Sequence, residues 1–346
     1  MSVVTVAAPV VRQARIRAQR HTSLVLGGLA VAVVGLFTVN VLLGSYTVTI
    51  PDFLRIVSGK TIPGASFILL ENKLPQAVLA VLVGAAFGVA GAVFQTLLRN
   101  PLASPDVIGI SMGASAAAVV GIAFFGVGGL ALQGFSMVGS LLAALVIVLV
   151  SRRGDLAGHR LILVGIGLAA ALQALTSWVL TRTDIHVAAE ALVWLNGSLN
   201  NATWARVRTL GLLLIVLLPV VAVAARRLPV LELGEEAAVG LGVHPWRGRL
   251  LLLLAGTALA AAGTAAAGPV AFVAFLSGPI ARRLLRGRAT LPVAALVGAL
   301  VVLAAEFTAV NAVPGSALPV GVVTGLLGGP FLLWLLVTAH RVGRGG

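Results

Sequence analysis

Long uncharged stretches follow one another from about Leu24 to Val337, and the cations sit almost entirely in the breaks between them. Of 24 Lys and Arg residues, 18 fall in clusters at 12–20, 152–160, 226–249, 282–288 and 341–344, or at Arg99. The other six, Arg55, Lys60, Lys73, Arg182, Arg206 and Arg208, occupy the alternate breaks. Cytoplasmic loops collect Lys and Arg, so this alternation predicts an all-α polytopic membrane protein with both termini in the cytoplasm. A charged fraction of 10% agrees, since a soluble globular chain carries about 25%.

The net charge of +14 would point to nucleic acid in a soluble protein. Here every basic cluster flanks an apolar stretch, so the charge serves the membrane lipid headgroups and no nucleic-acid partner is expected. The chain has no Cys, which removes disulfides and thiolate chemistry. Arg12, Arg15, Arg17 and Arg20 precede the apolar run Leu24–Leu43, as in a signal peptide, but that run is long enough to span and reads as a retained first helix.

About 20 apolar residues cover the hydrocarbon core. Spans are expected at 23–43, 75–97, 160–180, 206–225, 291–311 and 319–338. The stretch 107–150 divides into two helices at Gly126, Gly128 and Gly129. Residues 250–281 lie between Arg247–Arg249 and Arg282–Arg288, so a hairpin turning near Gly268–Pro269 keeps both basic clusters inside, with a bend at Gly278–Pro279. The total is ten helices. The expected organisation is a basic cytoplasmic segment 1–22, a transmembrane domain 23–340 with a cytoplasmic loop at about 226–249, and a tail 341–346.

Gly84, Gly88 and Gly91 share one face of the second helix, and Gly109 and Gly113 repeat the spacing in the third. Such spacing lets helix backbones approach closely in lipid, as packing or along a moving pathway. No catalytic constellation, metal-ligand spacing or cofactor motif is present, and the five His residues all sit at segment ends. Gly59–Lys60–Thr61 lacks the earlier Gly of a phosphate-binding loop, since Leu54 stands there. Gln95 and Glu306 are intramembrane polar residues. Burying a carboxylate in a span costs about 2.5–3.5 kcal/mol, so Glu306 calls for an inter-helix partner, a proton or a cavity.

The loop LPVLELGEEAAVGLGVHPWRGR is amphipathic. Leu233, Ala237 and Leu241 share one face, Glu235 and Glu236 suit the positive end of a short helix, and Gly240 and Gly242 can terminate it. An exposed apolar face there fits either a docking partner or the membrane surface.

Several segments together carry a resemblance. LPQAVLAVLVGAAFGVAGAVFQTLLRNPLASPDVIGISMGASA (74–116), GEEAAVGLGV (234–243), GPVAFVAFLSGPIARRL (268–284) and LPVGVVTGLLGGPFLLWLL (318–336) resemble, in order, the FecCD-type permeases of ABC importers for iron-siderophores, haem and cobalamin. The resemblance implies a type II importer permease of the bacterial plasma (inner) membrane that performs no covalent chemistry. It implies a second permease subunit, as homo- or heterodimer, two cytoplasmic ATPase subunits and an extracytoplasmic substrate-binding protein. The family's ATPase-coupling loop maps onto 233–243, with Leu233, Glu235, Glu236, Ala237, Leu241 and Gly242. Binding-protein docking maps onto Arg55, Lys60 and Arg182. Lys73-Leu-Pro75-Gln76 departs from the family's Arg-x-Pro-Arg, and Ser277-Gly278-Pro279 stands where Val-Pro-His is usual. The double arginine Arg282–Arg283 and the AFVAF segment look closer to ferric-siderophore permeases than to cobalamin permeases. The expected cargo is a ferric siderophore, with cobalamin or haem as the alternative; a proton-coupled secondary transporter using Glu306 is the rival class.

Overall fold

A computed structural model describes the chain except for residues 1, 2, 45, 152–158, 229, 231–234, 243, 289, 314–316 and 343–346. Among the described residues the regular structure is entirely helical. In chain order the helices are α1 (Val3–Leu42), α2 (Ile50–Val57), α3 (Ala65–Leu97), α4 (Ile110–Phe125), α5 (Gly129–Ser151), α6 (His159–Arg182) and α7 (Ile185–Leu195). They continue as α8 (Trp204–Ala225), α9 (Glu235–Gly240), α10 (Pro245–Ala267), α11 (Val273–Leu284), α12 (Leu291–Asn311) and α13 (Val320–Val342). Seven of these are long and apolar enough to cross a membrane: α1, α3, α5, α6, α8, α10 and α12. Shorter apolar helices accompany them at α4, at α7 and along Val320–Leu335 of α13.

Three differences from the sequence reading have local causes. The basic segment expected to precede the first span is helical and continuous with it, because Arg, Gln and Ala are good helix formers and nothing between Arg12 and Leu24 breaks the turn. The second span begins ten residues before the expected start, with a π-helical stretch Ile68–Lys73 leading into Pro75 at the first α-helical turn. Third, Gly109 is not in a helix: it precedes α4 with φ +86, a conformation open to Gly without a Cβ penalty.

α3 is the centre of the bundle, and its two faces pack differently. Gly84 and Gly88 meet the backbone of α12, where a Cβ on Gly84 would lie 2.6 Å from Ala299 Cα and one on Gly88 would overlap the Ala294 carbonyl. A Cβ on Gly91 would overlap the Ala274 carbonyl of α11. The adjoining face carries Phe87 and Phe94, both fully buried, which fill the spaces left by Gly263 and Gly256 of α10. Gly113 and Gly139 make the equivalent backbone contact between α4 and α5. These glycines therefore serve close packing, which in lipid must replace the hydrophobic drive available in water.

The outer turns are tied at backbone level. Ser198 N–H donates to Ala267 O at 2.8 Å and Gly321 N–H to Gly197 O at 3.1 Å. Gly197, Gly268 and Gly321 thus join the end of α7, the turn between α10 and α11, and the start of α13. α11 leaves that turn at Phe272, whose φ of +65 is rare for a bulky residue. The Phe272 ring occupies the space that a side chain at Gly328 of α13 would need. Phe272, Phe275, Phe331 and Trp334 then form a chain of ring contacts with centroids 5.5–6.5 Å apart, which ends where Arg283 lies 4.8 Å over Trp334.

Gly91→Val is expected to lower stability by about 1–3 kcal/mol through overpacking against α11. Gly35→Val on α1, where a Cβ meets nothing within 4 Å, serves as the control. Thermal unfolding of both variants in detergent, followed by Trp fluorescence, checks this; equal midpoints would refute the packing assignment.

Candidate functional site

Three places on the bundle hold the residues singled out from the sequence. The first is α9, in the loop after α8. Ala238 is fully buried and anchors this short helix to the main core, while Ala237, Val239 and Leu241 are exposed. The helix ends with Leu241 N–H donating to Ala237 O and Gly242 N–H to Val239 O, and Gly242 adopts φ +77. Glu235 and Glu236 form the first turn. Leu233 lies outside the described residues. The structure therefore presents Ala237 and Leu241 outward on a turn of helix anchored by the buried Ala238.

The second is a cavity of about 380 Å3 at the outer ends of α1, α3 and α12. Glu306 is buried there, and Gln76 Nε2 donates to its Oε1 across the α3–α12 interface, while Oε2 is buried without a partner among the described residues. Asn40 Nδ2 bridges α1 and α12 by donating to Leu36 O at 2.9 Å and Leu303 O at 3.2 Å. Lys73 Nζ donates to Leu43 O at 2.6 Å and ties α3 to the end of α1. Glu306 thus lies within two turns of the outer end of α12, beside amide side chains that line the same cavity.

The third is Gln95, near the cytoplasmic end of α3. Pro279 sits inside α11 and has no N–H, so the Phe275 carbonyl lacks its ordinary helical donor. Gln95 Nε2 supplies one at 3.1 Å, and Arg282 Nη2 donates to Gln95 Oε1 at 2.7 Å and fixes the amide orientation. Gly278 leaves the room: a Cβ there would overlap Gln95 Oε1. An unsatisfied carbonyl in this setting costs several kcal/mol, so the amide is a required part of α11.

The remaining sequence candidates lie apart from these. Arg55 is 63% exposed on α2 and pairs loosely with Asp52 at 3.7 Å, which offsets its charge. Lys60 follows on the same excursion and is exposed. Arg182 is exposed at the end of α6, just before Asp184 caps α7 through His186 N–H at 2.8 Å. Sequence reading missed Asp106, in the loop between α3 and α4. Ser111 Oγ donates to its Oδ1 and its Oδ2 is buried without a partner among the described residues. Burial pushes the Asp106 carboxyl above the usual carboxylate value, and the Ser111 bond only partly opposes this.

An all-helical bundle with seven helices long and apolar enough to cross a membrane, and a short helix anchored in the loop after α8, defines a polytopic membrane protein. The model of the FecCD transport family matches residues 29–338, and the chain belongs to that family. The ferric enterobactin transport system permease protein FepG of Escherichia coli (strain K12) is 39% identical over 299 residues, covering 86% of this chain and 91% of FepG. The iron(3+)-hydroxamate import system permease protein FhuG of Bacillus subtilis (strain 168) is 34% identical over 318 residues, covering 89% and 95%. A solved inward-facing conformation of a metal-chelate type ABC transporter superposes with a TM-score of 0.81 at 25% identity, over 90% of this chain and 98% of that one.

Gln95→Met should cost about 1–3 kcal/mol by leaving the Phe275 carbonyl unpaired. Adding Pro279→Ala restores a backbone N–H and should recover part of that loss. A double-mutant cycle of unfolding midpoints in detergent and denaturant reads the coupling; strictly additive effects would remove the pairing of Gln95 with the proline gap.

Proposed function

We propose that this chain is the membrane-spanning permease subunit of an ATP-driven importer, forming the pathway for a ferric siderophore delivered by a substrate-binding protein. The observation that carries the reading is membership of the FecCD transport family along nearly the whole chain. The named cargoes of its relatives, ferric enterobactin for FepG and iron(3+)-hydroxamate for FhuG, favour a siderophore over cobalamin or haem. The protein is a multi-pass protein of the bacterial inner membrane.

In this reading the segment 226–249 is the coupling loop, and α9 is the part that meets an ATPase subunit. Two features support it: Ala238 fixes the helix to the core, and Leu241 stays 63% exposed. A helix anchored at one side and bare at the other transmits a push instead of absorbing it. Glu235 and Glu236 supply charge at its start, and Leu233 completes the face in sequence. ATP hydrolysis belongs to the partner subunits. Arg55, Lys60 and Arg182 are the cations offered to the binding protein on the outer side. A second permease subunit completes the pathway, and the apolar face of α6, where Leu163, Ile166 and Trp178 are exposed, is available to it.

Uptake of radioiron as a ferric siderophore tests the reading, in cells that lack their own importer and carry the partner subunits. Uptake should require ATP and survive a protonophore. Loss with the proton gradient alone would transfer the mechanism to Glu306, and no uptake at all would direct the assay to cobalamin and haem. Leu241→Asp combined with Glu235→Ala and Glu236→Ala should lower uptake about tenfold or more, with membrane insertion and binding-protein docking unchanged. Normal uptake by that variant would remove the coupling assignment.

A further inference from the structure

The cytoplasmic ends of α3, α8 and α11 and the start of α12 meet around a cavity of about 860 Å3. Arg99, Arg282 and Arg288 line it together with Thr290, and none of its described lining residues is acidic.

The arginines diverge in their uses. Arg283 turns away to cover Trp334, whereas the neighbouring Arg282 points into the cavity and spends one donor on Gln95 Oε1. A guanidinium has five donors in a planar fork, so Arg282 is oriented by Gln95 and keeps donors for a ligand. Thr290 is the N-cap of the 21-residue α12, yet it makes no side-chain capping bond, and its Oγ1 is buried without a partner among the described residues. The positive end of α12 and a free hydroxyl thus face the cavity beside the cations.

Gln95, Thr96 and Asn100 of the segment around the end of α3 add polar groups, and Ala225, Leu228 and Leu291 form an aliphatic wall. A cavity with cations at one part and aliphatic walls at the other, at the depth where the basic clusters meet the cytoplasmic leaflet, matches the shape of a phospholipid. Basic pockets between transmembrane helices on this side take acidic headgroups. We propose that this cavity is a binding site for an anionic phospholipid. The headgroup phosphate is held by Arg282, Arg288 and the Thr290 hydroxyl, and the start of an acyl chain lies along Ala225, Leu228 and Leu291. The site is separate from the coupling helix and from the outer cavity, and it does not depend on which cargo the protein carries.

The test is native mass spectrometry of the purified full chain in detergent, mixed with phosphatidylglycerol or with phosphatidylcholine in matched amounts. The wild-type protein should retain phosphatidylglycerol in preference to phosphatidylcholine. Arg288→Gln with Thr290→Val should reduce that retention about tenfold, while Arg17→Gln with Arg20→Gln, a basic pair on α1 outside the cavity, should leave it unchanged. Thr290→Val alone gives the same direction should the double variant fail to fold, since it removes a hydroxyl without touching a charge. Equal retention by wild-type and cavity variants overturns the proposal, as does an absence of headgroup preference. Two further outcomes also overturn it. Variant-sensitive binding of inorganic phosphate with no lipid retained assigns the site to a free anion. Lost association with the ATPase subunit at unchanged lipid retention makes it a protein-docking site.

Discussion

Backbone contact between α3 and its neighbours is the constraint on which the rest of the bundle depends. In lipid there is no water to drive side chains together, so association rests on how closely surfaces approach and on satisfying every polar group. α3 meets α12 and α11 at Gly84, Gly88 and Gly91, where backbone replaces side chain, and fits Phe87 and Phe94 against glycines of α10. Once these three neighbours are fixed, the cytoplasmic ends that form the basic cavity and the outer ends that enclose Glu306 have their positions. The helices farther from α3, including α1 and α6, are correspondingly open along much of their apolar surface.

Polar groups inside the bundle follow the same economy. Gln95 completes a helix, α11, that its own proline leaves one bond short. Glu306 shares Gln76 between two helices at the rim of a cavity, so its cost is met partly by a hydrogen bond and partly by position. The chemistry this chain supplies is geometric: anchored loops, close helix contacts and charged rims on both faces.

Much of this was legible in the sequence because it is written in periodic or local signals. The alternation of Arg clusters pointed to an all-helical membrane bundle and to the turn at Gly268–Pro269, and the loop pattern placed α9 with Ala237 and Leu241 exposed. α7 was missed because IHVAAEALVWL has 11 residues, too few to register as a span, although Asp184 ahead of it is a cap signal that could have located it. The basic segment Arg12–Arg20 was read as separate from the first span because charge was taken as a boundary, whereas backbone propensity ignores that boundary. The link of Gln95 to Phe275 joins residues 180 positions apart, and no periodicity in one chain encodes such a partner. The convergence of Arg99 with Arg282 and Arg288 was hidden for the same reason.

The brevity of α11 has a mechanical meaning. Twelve residues of helix span about 18 Å, and along that length α11 is stapled to α3 by Gln95 and to α13 by a run of aromatic rings. A strut fastened on both flanks has no slack to bend. Displacement at its arginine-rich foot must therefore reappear at Phe272, where the turn is locked by glycines to the end of α7 and the start of α13. One short helix thereby ties its arginine-rich end to the glycine-locked turn as a rigid rod.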